Sequence, residues 1–197
     1  MNRLTPGRRL APLQLKNLQG ASVVLPDPTV PFIHLQFRRF AGCPICNLHL
    51  RQMVERVGEL RAAGIKEVVF FHSSAEAMQP YQGDLPFDCI ADPGKVYYKR
   101  FGIESSWWGM LHPKNLPAVL KGMTGPFPTH LSAGGEAGHA SMPADFLIDR
   151  MGVVQACHYG SYADDQWSVD HLLDLAEQAH LADGLDDAPQ WVSRATR

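Results

Sequence analysis

The sequence predicts an α/β fold, because short strand-like and helix-like stretches alternate along it with Gly and Pro between them. Two strand patterns and one helix pattern carry most of that expectation. Phe32–Phe37 alternates, with Ile33, Leu35 and Phe37 on one face and His34 and Gln36 on the other, as in a strand with one buried face. Lys66–Phe71 is almost continuously apolar, the pattern of a strand covered on both sides. Between them Cys46, Leu50, Met53, Val54, Val57 and Leu60 recur at spacings of three and four, which predicts one long amphipathic helix closed by Gly64.

The remaining elements follow in chain order. Leu15–Leu18 and Val23–Leu25, separated by Gln19-Gly20-Ala21, read as an N-terminal β-hairpin that Pro26 and Pro28 end. Ser73-Ser74-Ala75-Glu76 reads as a capping box opening a short helix, and Phe87–Ile90 as a short strand. Asp92-Pro93 supplies a carboxylate cap and a first-turn proline for a helix ending at Gly102. From Glu104 to Ser141 prolines and glycines interrupt the pattern. This region, about 104–141, is expected to be a helical and loop insertion, with Asn115 capping a helix that stops at Gly122 and a Gly-rich stretch around Gly134-Gly135. Asp145–Asp149 and Val153–Tyr159, joined by Arg150-Met151-Gly152, predict a hairpin, and Ser168 caps a last helix carrying Val169, Leu172, Leu173, Ala176 and Ala179 on one stripe.

The chain has 197 residues, 45% hydrophobic and 19% charged, which suits one domain with a substantial core. The expected core runs from about 15 to 182, with a polar tail over 183–197 in which Trp191 is the residue most able to pack. Lys and Arg number 18 against 20 Asp and Glu, a formal net charge of −2, so nothing suggests a nucleic-acid partner. The apolar runs are only a few residues long, whereas a bilayer span needs about 20, so no membrane association is expected. The basic N-terminus lacks an apolar signal segment, and a cytoplasmic location is expected. Four cysteines are too few for a disulfide scaffold.

Two of those cysteines form Cys43-Pro44-Ile45-Cys46, between the alternating strand and the long helix. That position puts Cys43 at or next to the helix N-cap, where free backbone N–H groups and the helix dipole favour thiolate over thiol. Arg38 and Arg39 lie just upstream and add positive potential, and Pro44 fits the first turn without needing an N–H. Cys43 is then the attacking thiolate and Cys46 the resolving thiol that closes an internal disulfide. Two other readings compete: an inert pair of buried thiols, and a zinc site. Zinc would want four ligands, usually as two pairs, whereas Cys89 and Cys157 are isolated and His49 is the one histidine at plausible spacing.

Together the CPIC segment between strand and helix, Asp92-Pro93-Gly94 with Phe101-Gly102, and Met142-Pro143-Ala144-Asp145-Phe146-Leu147-Ile148-Asp149 resemble the peroxiredoxin-like branch of the alkyl hydroperoxide reductase/thiol-specific antioxidant (AhpC/TSA) family, over roughly Leu15 to Ala179. The resemblance implies a thioredoxin-like fold, a central mixed β-sheet flanked by helices. It implies that Pro143 is a cis-proline lying against the cysteines, with the Met142 backbone placed to pair with substrate. It also implies a thiol peroxidase or oxidoreductase without a bound cofactor. Its substrate would be a small hydroperoxide or a disulfide, and an external thiol system such as thioredoxin or glutathione would reduce it. The sequence departs from the family pattern Pro-x-x-x-Thr-x-x-Cys, having Gln36 and Phe40 at those positions, and Pro143 stands where the later bracing arginine is usual. Hydroxyl and guanidinium donors that stabilise charge moving along the O–O bond are thus missing from their usual places, leaving Arg38, Arg39 and Arg150 as substitutes. The same chemistry would serve a protein-disulfide oxidoreductase or a redox sensor. A thioredoxin-fold metallochaperone, holding copper or zinc with Cys43, Cys46 and His130 or His139, is a further alternative. Trp107, Trp108, Met110 and Phe127 in the insertion either cover the core, roof a substrate pocket or form a homodimer contact. His34 shares with Gln36 a strand face that leads toward Arg38, so it is expected either below the site or as a core or edge histidine.

Overall fold

The computed structural model describes residues 3–123 and 141–182. Strands β1 (Leu13–Lys16) and β2 (Ser22–Leu25) form the antiparallel N-terminal hairpin, with Leu13, Leu15, Val23 and Leu25 buried and the alternate residues exposed. The first strand ends two residues earlier than the expected Leu18. The Asn17 carboxamide oxygen accepts hydrogen bonds from the Gln19 and Ala21 amides and so starts the turn there.

Strand β3 (Phe32–Phe37) is the centre of a five-stranded mixed sheet. It pairs in parallel with β4 (Ile65–Phe71), which pairs in parallel with β5 (Asp88–Ala91). On its other side β3 pairs antiparallel with β6 (Ala144–Asp149), and β6 with β7 (Val154–Tyr159), the expected hairpin. Strand order is thus β5-β4-β3-β6-β7. Parallel β3 and β4 put the ends of both strands at one edge, where the cysteine segment leaves the sheet.

All six residues of β3 are buried, so the expectation of one buried face is corrected. Ile33, Leu35 and Phe37 join Val68, Phe70, Ile90, Phe146 and the hairpin residues in one core. The opposite face is roofed by α1 (Pro44–Glu55) and α7 (Val169–Ala182), and His34 and Gln36 lie beneath them at 0% exposure. They tolerate that burial because they pair with one another's neighbours, as described below.

The single long helix expected after the cysteines is two. After α1, Arg56 leaves helical geometry (φ −112°, ψ 18°) and α2 runs Val57–Ala62. Leu50, Met53 and Leu60 stay on one buried stripe across the break, so the periodicity runs straight through it. Gly64 (φ +72°) reverses the chain where a Cβ would lie 2.6 Å from Pro31 Cγ. Helix α3 (Ala75–Gln82) is capped by Ser74, whose hydroxyl accepts from the Ala77 amide, and not by a Ser73–Glu76 box. The Ser73 hydroxyl is engaged elsewhere, accepting from the Ala41 amide at 2.8 Å. The Asp92 carboxylate caps α4 (Val96–Arg100) as expected, accepting from the Val96 and Tyr97 amides at 2.8 Å each. The helix begins three residues later than Pro93 because Lys95 takes a left-handed conformation (φ 54°).

In the insertion, α5 (Trp107–Met110) and α6 (Asn115–Met123) are present. Asn115 is the first residue of α6 and does not cap it. Its side chain donates to Gly109 O and accepts from Asp164 N, tying the insertion to the loop before α7. Trp108 is 85% exposed and Leu111 76%, so neither covers the core. The Ser168 hydroxyl caps α7 by accepting from the His171 amide. The Gly134-Gly135 stretch, Phe127, His130, His139, Trp191 and the tail lie outside the described residues. Among the described residues no helix is long and apolar enough to cross a membrane.

Candidate active site

The chain leaves β3 through a short turn pinned to the end of β4. Arg38 N donates to Phe70 O (2.8 Å), His72 N to Arg39 O (3.2 Å), and the Ala41 amide to the Ser73 hydroxyl. Gly42 (φ +73°) then turns the backbone, and Cys43 becomes the N-cap of α1 with Pro44 as the first helical residue. The Cys43 sulfur accepts from the Cys46 amide at 3.5 Å. The Cys46 thiol, one turn on, donates to Cys43 Sγ across 2.9 Å, and both cysteines are free.

The two sulfurs differ in acidity. Burial works against a thiolate at Cys43. The Cys46 thiol proton, the nearby Arg39 guanidinium and the Cys46 and Ile45 amides outweigh it, bringing Cys43 down to about 6. Burial and the neighbouring Cys43 push Cys46 well above the usual thiol range. The shared hydrogen bond thus favours negative charge on the Cys43 sulfur over the Cys46 sulfur. Cys43 is 0% exposed and Cys46 1%.

The upstream arginines do different things. Arg39, 5% exposed, lies over the Phe40 ring (5.3 Å) and supplies positive potential to Cys43. Arg38 points to the other side and does not add to that potential in the way its position suggested. It shares the face of His34 and Gln36, and its Nη2 donates to Asp145 Oδ1 (2.6 Å), Gln36 Oε1 (2.6 Å) and His49 Nε2 (3.1 Å). Arg150 is at the far end of β6, its amide bonded to Pro31 O.

Arg38 belongs to a buried polar cluster that the sequence did not disclose. His34 donates from Nδ1 to Glu67 Oε2 (2.8 Å) and from Nε2 to Asp145 Oδ1 (3.1 Å), and Gln36 donates to the same Glu67 oxygen. Burial disfavours a charged His34, but the flanking Glu67 and Asp145 carboxylates prevail and raise it to about 9. His49 is driven the other way, well below the usual imidazole range, by burial and by the Arg38 cation. Asp145 is held below the usual carboxylate range because Arg38 and His34 overcome its burial. Two cations, Arg38 and His34, thus face two carboxylates, Glu67 and Asp145, under α1. The available signal was a run of polar residues at alternate positions (His34, Gln36, Arg38) opposite lone acids in otherwise apolar strands.

A model of the AhpC/TSA antioxidant enzyme family matches residues 52–162, more than half of the chain. The chain belongs to the AhpC/TSA family. The matched stretch begins just beyond Cys46, so it covers β4 to β7 but not the cysteine pair. No curated protein sequence matches the chain at a significant level. Among solved structures it is similar to the peroxidoxin BcpB of Mycobacterium tuberculosis, at 12% identity and TM-score 0.59, covering 94% of this chain and 99% of that one. It is similar to the reduced 2-Cys peroxiredoxin of Plasmodium vivax, at 13% identity and TM-score 0.64, covering 92% and 86%. A Chlorobium tepidum protein described as the thiol:disulfide interchange protein DsbE matches at 20% identity and TM-score 0.56, covering 88% and 99%. These likenesses establish the peroxiredoxin and thioredoxin-like fold.

Within this AhpC/TSA chain the expected cis-proline is corrected. The one cis peptide bond among the described residues is Leu25–Pro26, so Met142–Pro143 is trans. Nor is the Met142 amide open to substrate, since it donates to Glu104 O beside the Ser105–Ser141 bridge. Pro143 O accepts from Gly160 N, so the segment is stitched to its flanking loops. Met142 and Pro143 instead help line a cavity of about 260 Å³ with Arg3, Ser106 and Tyr159. Phe40, at the position of the family's threonine, is 3% exposed and brings no hydroxyl. Among the described residues no group of three or more His, Cys, Asp or Glu side chains is disposed to hold a metal ion.

Proposed function

We propose that this AhpC/TSA protein is a two-cysteine thiol peroxidase, with Cys43 as nucleophile and Cys46 as resolving residue. The observation that carries the reading is the N-cap thiolate at Cys43 accepting a hydrogen bond from the Cys46 thiol across 2.9 Å. Cys43 Sγ attacks the terminal oxygen of a hydroperoxide, the O–O bond breaks, and the alkoxide or hydroxide leaves with a proton. The sulfenic acid that remains on Cys43 is attacked by Cys46, forming the S–S bond and releasing water. An external dithiol then reduces the disulfide, each of its two sulfurs giving one electron to the pair. Arg39 stands in for the family's missing donors by placing a cation beside the reacting sulfur.

The complete burial of both sulfurs favours a small oxidant over the disulfide of a folded protein, which could not reach Cys43 in this conformation. A reducing compartment such as the cytoplasm, with a thioredoxin- or glutathione-type donor, suits a pair that must cycle back to thiols. The second reading, a protein-disulfide oxidoreductase, rests on the position of the CPIC pair between strand and helix, where Cys43 would form a mixed disulfide once the first turn of α1 opened.

Stopped-flow mixing of the reduced protein with hydrogen peroxide and with an organic hydroperoxide separates the two readings. The peroxidase reading expects oxidation orders of magnitude faster than for a free thiolate, ending in a Cys43–Cys46 disulfide located by mass spectrometry. Cys46→Ser should accumulate the Cys43 sulfenic acid, and Cys43→Ser should lose turnover. Turnover surviving in Cys43→Ser overturns the assignment. Oxidation no faster than a free thiolate leaves the disulfide oxidoreductase.

A further inference from the structure

One buried hydroxyl touches the turn that carries the cysteines and has no part in the chemistry above. Tyr98, on α4, is 2% exposed and packs edge-on against Phe37 (5.1 Å between centroids, 81°). Its phenol has two carbonyls within reach. It hydrogen-bonds the Arg38 carbonyl oxygen, the nearer of the two, and lies 3.0 Å from Phe70 O. The Phe70 oxygen already accepts from the Arg38 amide at 2.8 Å. The Arg38 carbonyl and the Arg39 N–H are the two poles of a single peptide group, and the Arg39 N–H donates to Cys46 Sγ at 3.5 Å.

We propose that Tyr98 is the positioning residue for the resolving cysteine, acting through the Arg38–Arg39 peptide. By donating to that carbonyl the phenol fixes the peptide plane and polarises it, so that its N–H is a better and better-aimed donor to the Cys46 sulfur. The effect is greatest when Cys46 carries negative charge, because a hydrogen bond to a charged acceptor is about twice as strong as one to a neutral acceptor. Resolution needs the Cys46 thiolate, and burial beside Cys43 opposes that charge, so the amide is the group that offsets it from the backbone. Other charged or titratable groups face this locality: Cys43 from the first turn of α1, Arg39 from the turn, and, around the phenol, Asp92, Arg38 and His72. The Tyr98 ring remains in place without its oxygen, so the hydroxyl can be tested apart from the packing.

The inference rests on Cys46 as the resolving residue, and its test is chosen to be independent of that reading. In the full chain carrying Cys43→Ser, the Cys46 ionisation is followed by the 13Cβ NMR shift against pH, with and without Tyr98→Phe. The expected result is a rise in the Cys46 midpoint of a few tenths to about one pH unit. In the protein with Cys43 intact, the disulfide-forming step at fixed pH should be about two- to tenfold slower, one unit being tenfold, with sulfenic acid formation unchanged. Site-specific 3-fluorotyrosine at position 98, a stronger donor of nearly the same shape, should move the midpoint down. An unmoved midpoint in a folded Tyr98→Phe protein, or no opposite shift with the fluorinated residue, overturns the relay. If the midpoint moves but no Cys43–Cys46 disulfide forms with any oxidant, the relay holds and the resolving role of Cys46 fails.

Discussion

At Cys43 three local influences work together against one general penalty. The sulfur is fully buried, which alone would raise its pKa, yet the Cys46 thiol proton, Arg39 and the first-turn amides hold it near 6. Arg39 is the one of these that can be removed without disturbing the helix start. Arg39→Ala is expected to raise the Cys43 midpoint by roughly half to one unit, given the strength of a close ion–thiolate interaction. Iodoacetamide alkylation at pH 6 should slow accordingly, with Arg39→Lys recovering part of the loss. An unchanged alkylation profile would mean that the Cys46 proton and the amides suffice. Phe40 contributes a ring beneath the Arg39 guanidinium and so helps to hold that cation in place.

Strand β3 behaves as an element with two unlike faces, one apolar and one ionic. Its ionic face makes two predictions. Asp145→Asn removes the carboxylate that Arg38 and His34 share and leaves Arg38 buried without its counter-ion, which is expected to cost about 3–5 kcal/mol, measured as a lower midpoint in chemical denaturation. The pH dependence follows from His34. Its folded pKa, about 9, is above the ordinary imidazole value near 6.5, so its contribution is full below pH 6.5 and is lost as pH rises through 9. Cys43 has the opposite sense: its depressed pKa contributes fully above the ordinary thiol value and is lost as pH falls through 6. Over pH 6.5–9 the two oppose each other in the reduced protein. Cys43→Ala is therefore expected to destabilise progressively as pH rises across that window, by a few kcal/mol at most, while the wild type stays flatter. Parallel profiles for the two proteins would contradict the depressed ionisation of Cys43, and a Cys43→Ala profile that does not fall across the window would contradict the protonated state of His34.

For the molecule as a whole, the sheet is a wall between two cores. The cysteine turn sits at the edge where β3 and β4 both end, held from β4 by Ser73 and His72. Both sulfurs lie inside that packing, so access depends on the size of the reagent. Despite its acidity, Cys43 is expected to react with hydrogen peroxide or iodoacetamide far faster, relative to a free thiolate, than with a polymer-linked maleimide. Equal relative rates for small and bulky reagents would show that the first turn of α1 opens readily, and would favour a protein disulfide as substrate.

The sequence by itself determined the α/β class, the order of the strands and helices, the two hairpin pairings and the placement of Cys43 at a helix start. Each of these follows from local periodicity, turn residues and a two-cysteine motif at a strand–helix junction, all of which act within a few residues. What was hidden depended on distant partners. The break at Arg56 leaves the apolar stripe intact, and so leaves no periodic trace. Arg38 and Arg39 are neighbours in sequence, yet alternation along the chain sends one to Asp145 and the other toward Cys43, a choice made by what covers each face. His34, Glu67 and Asp145 come from three strands, and their charges compensate only once the sheet register brings them side by side. The trans Met142–Pro143 bond, and the capture of the Met142 amide by Glu104, were likewise decided by the tertiary structure, because a backbone group's partner is set by which segment packs beside it.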